Sequence, residues 1–315
     1  MSISILTVLL AIQSGLGPLA AHSDVQPRPD PGQALRVVTT TTDLADLARV
    51  VGGERVEVRA LAFGEQDPHF VEPRPSLILE LRRADLYAQI GLDLEVGWAP
   101  LLLDQSRNPR IQPGGPGHLD LSAFVDVLDV PTRRVTRAEG DIHPFGNPHY
   151  WLAPANGRRM AEAFARRLSE LDPGGSEIYA GNVADFMERL DELEEGWLRM
   201  LAPHRATPIV AYHASWRYFA AFAGMEILGF VEPLPGIPPA PRHLAELVDR
   251  IDQASAPVII VDPFYDLRVP ETVARRSGAD VLVLPSSVGG VPGVDSYLNL
   301  LDHNVRRLVD ALERR

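Results

Sequence analysis

The chain of 315 residues contains no cysteine and no lysine. Without a thiol there can be no disulfide framework, thiolate zinc site, iron–sulfur cluster or cysteine nucleophile, and no cysteine to carry a lipid. Any metal must be held by nitrogen and oxygen. The cationic side chains are all arginine and are scattered, and 42 acidic residues against 30 basic ones give a net charge of −12. That balance repels phosphate backbones, which excludes a nucleic-acid partner, and it suits cations or neutral ligands better. Glycine-rich phosphate loops, serine-centred nucleophile elbows and H-E-x-x-H helices are all missing. No apolar run approaches the roughly 20 residues that cross a bilayer.

What is present begins with an address. Residues 3–12 (ISILTVLLAI) form a short apolar run, followed by the breakers Gly15, Gly17 and Pro18 and the small-residue stretch 19–23. This is the shape of an export signal ending near Ser23, with its positive charge resting on the amino terminus alone. Residues 24–34, rich in proline and polar groups, read as a flexible leader. From Leu35 strand-like and helix-like segments alternate, which predicts parallel α/β layers. The spacing gives a first lobe over 35–173, with strands at 35–41, 54–61 and 86–91, a helix over 43–51 ended by Gly52-Gly53, and a helix capped by Ser76. Two helices come next, 156–170 and 177–201, the second seven turns long and dense in charge, as a spacer between lobes would be. The linking segment is placed at 174–203 and a second lobe at 204–315, where strand and helix alternate again with no repeat of sequence. The fold class is therefore two α/β lobes with mainly parallel sheets, joined by one long helix, with a cleft between them.

Of nine histidines, three fall where such folds bind ligands. His69 and His213 lie just past the carboxyl ends of strands, the crevice that open α/β sheets use, and His149 closes the first lobe. Proline precedes His69 and His149, biasing the chain there toward extended geometry. Three imidazoles from distant segments can converge on one cleft, and three such nitrogens plus one further group make a common zinc set. Asp67 and Glu72 are the carboxylates expected to orient them. A loop histidine is by default a hydrogen-bonded surface group, and spacing alone does not separate these three from that reading. His204, His243 and His303 read as surface groups, and Trp216, Tyr218, Phe219 and Phe222 as core.

The segments TTTDLADLARVVGGERVEV, QDPHFVEPRPS, GNPHYWLAP and AYHASWRYFAAFAG together resemble the solute-binding proteins of zinc and manganese ABC importers, in the right order and over nearly the whole chain from Leu35. The resemblance implies metal ligands at His69, His149 and His213. In the manganese receptors a carboxylate replaces the third histidine, so His213 implies zinc, with manganese the weaker candidate. Two departures stand out. The acidic ligand that the family commonly carries after the last strand is missing from residues 284–290, which hold no Asp or Glu, leaving water, His143 or Glu232 for the fourth position. The histidine-rich loop of many zinc receptors is reduced to His118 within 107–140, with His143 beyond it. The resemblance thus implies a monomeric, freely diffusing periplasmic receptor, not membrane-anchored, that binds a divalent metal ion with nanomolar-class affinity, loses it as pH falls below roughly 6.5, and hands it to an ABC transporter membrane permease. The rival is a zinc hydrolase with water in an open fourth position.

Overall fold

The β-branched run LRVVT forms β1 (Leu35–Thr39) in the computed structural model, which describes residues 33–132, 143–234 and 236–314. The expected export signal and nearly all of the leader lie outside the described residues, as do residues 133–142. Strand β1 stops short of Thr41 because the Thr41 hydroxyl accepts from the Leu44 N–H at 3.4 Å and caps α1 (Thr42–Gly52). Gly53, at φ 54°, closes that helix by donating its N–H to the Arg49 carbonyl, the conformation glycine adopts without penalty. A short turn then delays the next strand, β2 (Val56–Ala60). Helix α2 (Pro75–Arg83) and strand β3 (Leu86–Gln89) come after it. Ser76 does not cap α2. The helix begins one residue earlier, at Pro75, whose fixed φ suits the first helical position, and Arg74 occupies the cap without a side-chain bond. Two short elements were not foreseen, α3 (Ala99–Ser106) and β4 (His118–Asp120). Both are too brief to carry a readable period among their glycines and prolines.

Helix α4 (Pro154–Leu171) leads into the 26-residue α5 (Ser176–Leu201), about 39 Å long at 1.5 Å per residue. Tyr179, Phe186, Leu190, Trp197 and Leu201 are its buried residues, a stripe of alternating seven- and four-residue steps that turns one face inward and leaves the charged face in water. The second lobe then runs β5 (Pro208–Ala211), α6 (Arg217–Ala223), β6 (Glu226–Phe230), α7 (Pro241–Ala254), β7 (Val258–Val261), α8 (Arg268–Ser277), β8 (Asp280–Val283) and α9 (Tyr297–Glu313). Each lobe holds a four-stranded parallel sheet, with order β2-β1-β3-β4 in the first and β6-β5-β7-β8 in the second. The architecture repeats where the sequence does not. Both sheets thus direct the carboxyl ends of their central strands, β1 and β5, and the loops of their neighbours toward the junction of the lobes. Among the described residues no helix is long and apolar enough to cross a membrane.

One hydrophobic core passes unbroken from Leu35 in the first lobe through Trp197 of α5 to Leu312 of α9, and smaller cores cover the far side of each sheet. Polar bonds fasten the same junction. The Thr42 hydroxyl donates to the Val288 carbonyl at 2.7 Å, the Val288 N–H to Asp43 Oδ1 at 2.9 Å and the Tyr297 N–H to Asp46 Oδ2 at 2.7 Å. Burial pushes the Asp43 carboxyl up to about 7, against the pull of the Val288 N–H. Gly64 lies so close to this seam that a Cβ would stand 2.0 Å from the Val288 carbonyl oxygen. Because backbone rather than a flexible side chain is in the way, Gly64→Ala is expected to destabilise the protein by about 1–3 kcal/mol. Urea denaturation measures this, and an unchanged midpoint would show that the seam yields freely.

Candidate metal centre

Each of the three predicted histidines arrives at the junction for a local reason. His69 sits in the loop after β2, where the Trp98 indole N–H donates to the Pro68 carbonyl at 3.0 Å and pins the residue before it. His149 immediately precedes a helical turn, Tyr150–Leu152, whose three side chains are all buried. His213 comes after β5 and precedes the turn Ala214–Trp216, with Trp216 fully buried behind it. The structure brings all three together: one ligand atom from each lies within 4.8 Å of the others. Ring centroids are 5.2 Å apart for His69 and His149, 5.4 Å for His149 and His213, and 5.6 Å for His69 and His213. His149 and His213 are each 3% exposed.

The backs of the rings explain their aim. His69 Nδ1 is 2.7 Å from Asp67 Oδ1, His149 Nδ1 is 3.0 Å from Asn147 Oδ1 and His213 Nδ1 is 3.3 Å from Glu232 Oε2. An acceptor at Nδ1 holds the proton there and leaves Nε2 as a bare donor atom turned to the centre, the arrangement that metal-ligating histidines need. His213 Nε2 is accordingly buried with no hydrogen-bond partner. Asp67 and Asn147 perform one job twice. Each stands two residues before its histidine with proline between, and each also accepts that histidine's own N–H at 3.0 Å. Asn147 was missed, although the repeated Asx-Pro-His pattern was there to be read. Burial alone would raise the Asp67 carboxyl, but its hydrogen bonds and charge attraction with His69 hold it below the ordinary range. Burial, reinforced by neighbouring imidazoles, holds His149 well below the usual histidine value and His143 down at about 3, so both rings are neutral donors at pH 7.

The remaining candidates separate clearly. His143 adjoins the cluster through His69, its Nε2 3.2 Å from that of His69, and stands outside the set of three whose ligand atoms all lie within 4.8 Å. Glu232 stands behind His213, with its second oxygen accepting from the Gly236 N–H at 3.2 Å. Glu72 does not orient any histidine: its side chain is 82% exposed and lies near Arg74, because the loop turns it outward past Val71. Residues 284–290 bring no carboxylate to the site. They serve the seam instead, the Ser286 carbonyl accepting from the Trp151 indole N–H at 2.7 Å. His118 is on β4, bonded to the Ile111 carbonyl at 3.0 Å. His243 is half-buried rather than solvent-facing, its Nε2 2.8 Å from the Phe230 carbonyl. Asp262 is a further buried carboxylate that sequence reasoning passed over, accepting from the Ser215 hydroxyl at 3.2 Å and the Trp216 indole at 3.1 Å. A cavity of about 160 Å³ opens beside the cluster, lined by His143, Asn147, His149, His213 and Glu232 among others.

Two parallel-sheet lobes fused along a long helix, with imidazoles meeting at their junction, define a class of two-lobed binding proteins. Comparison with known proteins gives the same class. Residues 37–311 match the family model described as the periplasmic component A of the zinc-uptake complex, and the chain belongs to that family. It is 27% identical over 289 residues to the manganese-binding lipoprotein MntA of Halalkalibacterium halodurans, covering 90% of both chains. It is 25% identical over 292 residues to the manganese ABC transporter substrate-binding lipoprotein PsaA of Streptococcus mitis, covering 90% of this chain and 91% of the other. Among solved structures, that of ZnuA superposes with a TM-score of 0.72 at 23% identity, over 89% of this chain and 99% of the other. The Mn-bound periplasmic metal binding protein of Candidatus Liberibacter asiaticus gives 0.73 at 18% identity, over 88% and 99%. These likenesses bear out the two-lobed fold. The family is one of solute-binding transport proteins and not of enzymes, and nothing in it supports the hydrolase alternative.

Proposed function

We propose that the protein captures a divalent transition metal at its lobe junction, zinc in preference to manganese, and delivers it on the periplasmic side to the permease of an ABC importer. In this reading residues 35–173 and 204–315 are the two lobes and 174–203 the link, His69, His149 and His213 bind the ion directly, and Glu232 orients His213 instead of touching the metal. The single observation that carries it is the convergence of three imidazoles whose ligand atoms lie within 4.8 Å, each backed by its own acceptor. Several relatives are named for manganese, but the donors gathered here are nitrogen, which suits zinc, whereas manganese prefers carboxylate and carbonyl oxygen. The carboxylates nearest the rings are already spent on Nδ1 protons.

Calorimetric titration with Zn²⁺ and with Mn²⁺ at several pH values tests this. Zinc is expected to bind more tightly by at least about tenfold, and acidification is expected to weaken it because each proton taken up by an imidazole displaces the metal. The sign of the shift comes from burial. His149 is held below the ordinary value of 6.5, so its share of the loss, up to about tenfold per pH unit, begins only below that pH. Manganese binding as tight as zinc would overturn the preference, and no heat with either metal would overturn the function.

A further inference from the structure

We infer that His143 is the fourth donor, closing an all-imidazole set of His69, His143, His149 and His213; this rests on the metal-receptor reading given under Proposed function. The two facing nitrogens of His69 and His143 are 3.2 Å apart. Two nitrogens on one tetrahedral zinc, with bonds of roughly 2.0–2.1 Å, stand about 3.3–3.4 Å apart. The ring centroid of His143 is 5.2 Å from that of His69 and 6.2 Å from that of His149. Its place is built. The Gly146 N–H donates to the His143 carbonyl at 3.3 Å, closing a turn in which Pro144 supplies the preset φ. Gly146 itself is at φ 112°, where a Cβ would meet Val127 Cγ1 at 2.2 Å, and the next N–H, of Asn147, is anchored on the Leu128 carbonyl at 2.9 Å. One loop therefore carries two ligands six residues apart and acts as a chelating clip.

Among the described residues, Asp67 and Glu232 stand against Nδ1 of His69 and His213, and Asp262 receives Ser215 and Trp216 on Oδ2, while its Oδ1 is buried without a hydrogen-bond partner. The loop over 284–290 is acid-free. Charge is balanced from behind, since two carboxylates hydrogen-bonded to the ligand rings offset a doubly charged ion without touching it. The His143 ring has its own backbone hydrogen bond, with Leu92. An all-nitrogen set discriminates against manganese more strongly than three histidines with an oxygen would.

X-ray absorption at the zinc edge of the loaded protein counts imidazole neighbours directly. Four are expected in the wild type and three in His143→Ala, with zinc affinity lower by about 100-fold or more, the upper end of what losing even an orienting partner costs. The metal-free melting temperature of His143→Ala, compared with wild type, separates a lost ligand from a lost fold, and His143→Gln provides a second variant of similar bulk. Three imidazoles in the wild type, with neither count nor affinity changed in either variant, would overturn the fourth-donor assignment and leave the receptor reading standing. Fewer than three in the wild type, or no bound zinc, would overturn both.

Discussion

His149→Ala is expected to abolish the thermal stabilisation that zinc confers. A ligand present at a thousand times its dissociation constant stabilises the native state by about 4.1 kcal/mol. For a chain of this size each kcal/mol moves the melting temperature by about 1.5 °C, so the wild type should melt roughly 6 °C higher with zinc than without. In the variant the difference should vanish at the same zinc concentration. His149 is 3% exposed, so its removal will also lower the metal-free melting point. The informative quantity is thus the shift caused by zinc within each protein, read by scanning calorimetry. A shift preserved in His149→Ala would remove this residue from the site.

Trp151→Ala is expected to cost about 3–5 kcal/mol, the range for deleting a large buried aromatic. Trp151 is fully buried, and its indole N–H reaches the Ser286 carbonyl while its own carbonyl accepts from the Tyr297 hydroxyl. It therefore ties the helical turn after His149 to two parts of the second half of the chain at once. Its ring also stands 5.3 Å from that of His149, so zinc affinity should fall with stability. Trp151→Phe keeps most of the packing and loses the indole bond, leaving an unmet carbonyl and a cost of about 1–3 kcal/mol. Urea midpoints with unchanged slopes would establish both values. A loss below about 1 kcal/mol in the alanine variant would show that this contact bears little of the junction.

Periodic and punctuated segments were legible before any coordinates. Helix α5 was placed from its length and its density of charge, while its inward stripe of Tyr179, Phe186, Leu190, Trp197 and Leu201 went unread, and α1 announced its end with paired glycines. The elements that escaped were those with too few residues to show a period, α3 and β4, and those decided by a neighbour, such as the start of α2, where Pro75 outcompeted Ser76 for the first turn. At the site, the convergence of His69, His149 and His213 could be proposed because each falls at a strand end or lobe boundary. What lies behind the rings was legible only in part. Asp67 was named, Asn147 was overlooked despite its matching offset, and Glu72 was chosen by proximity in sequence when backbone direction decides the matter. The bond from Val288 to Asp43 spans 245 residues, and no local pattern announces a contact of that range.

The acceptors behind the imidazoles also determine what an arriving ion must expel. Asp67, Asn147 and Glu232 stand against Nδ1 of His69, His149 and His213, so the outward side of each ring is taken and the inward nitrogen is the one left to meet an ion. Loading becomes a trade of the ion's water shell for ring nitrogens.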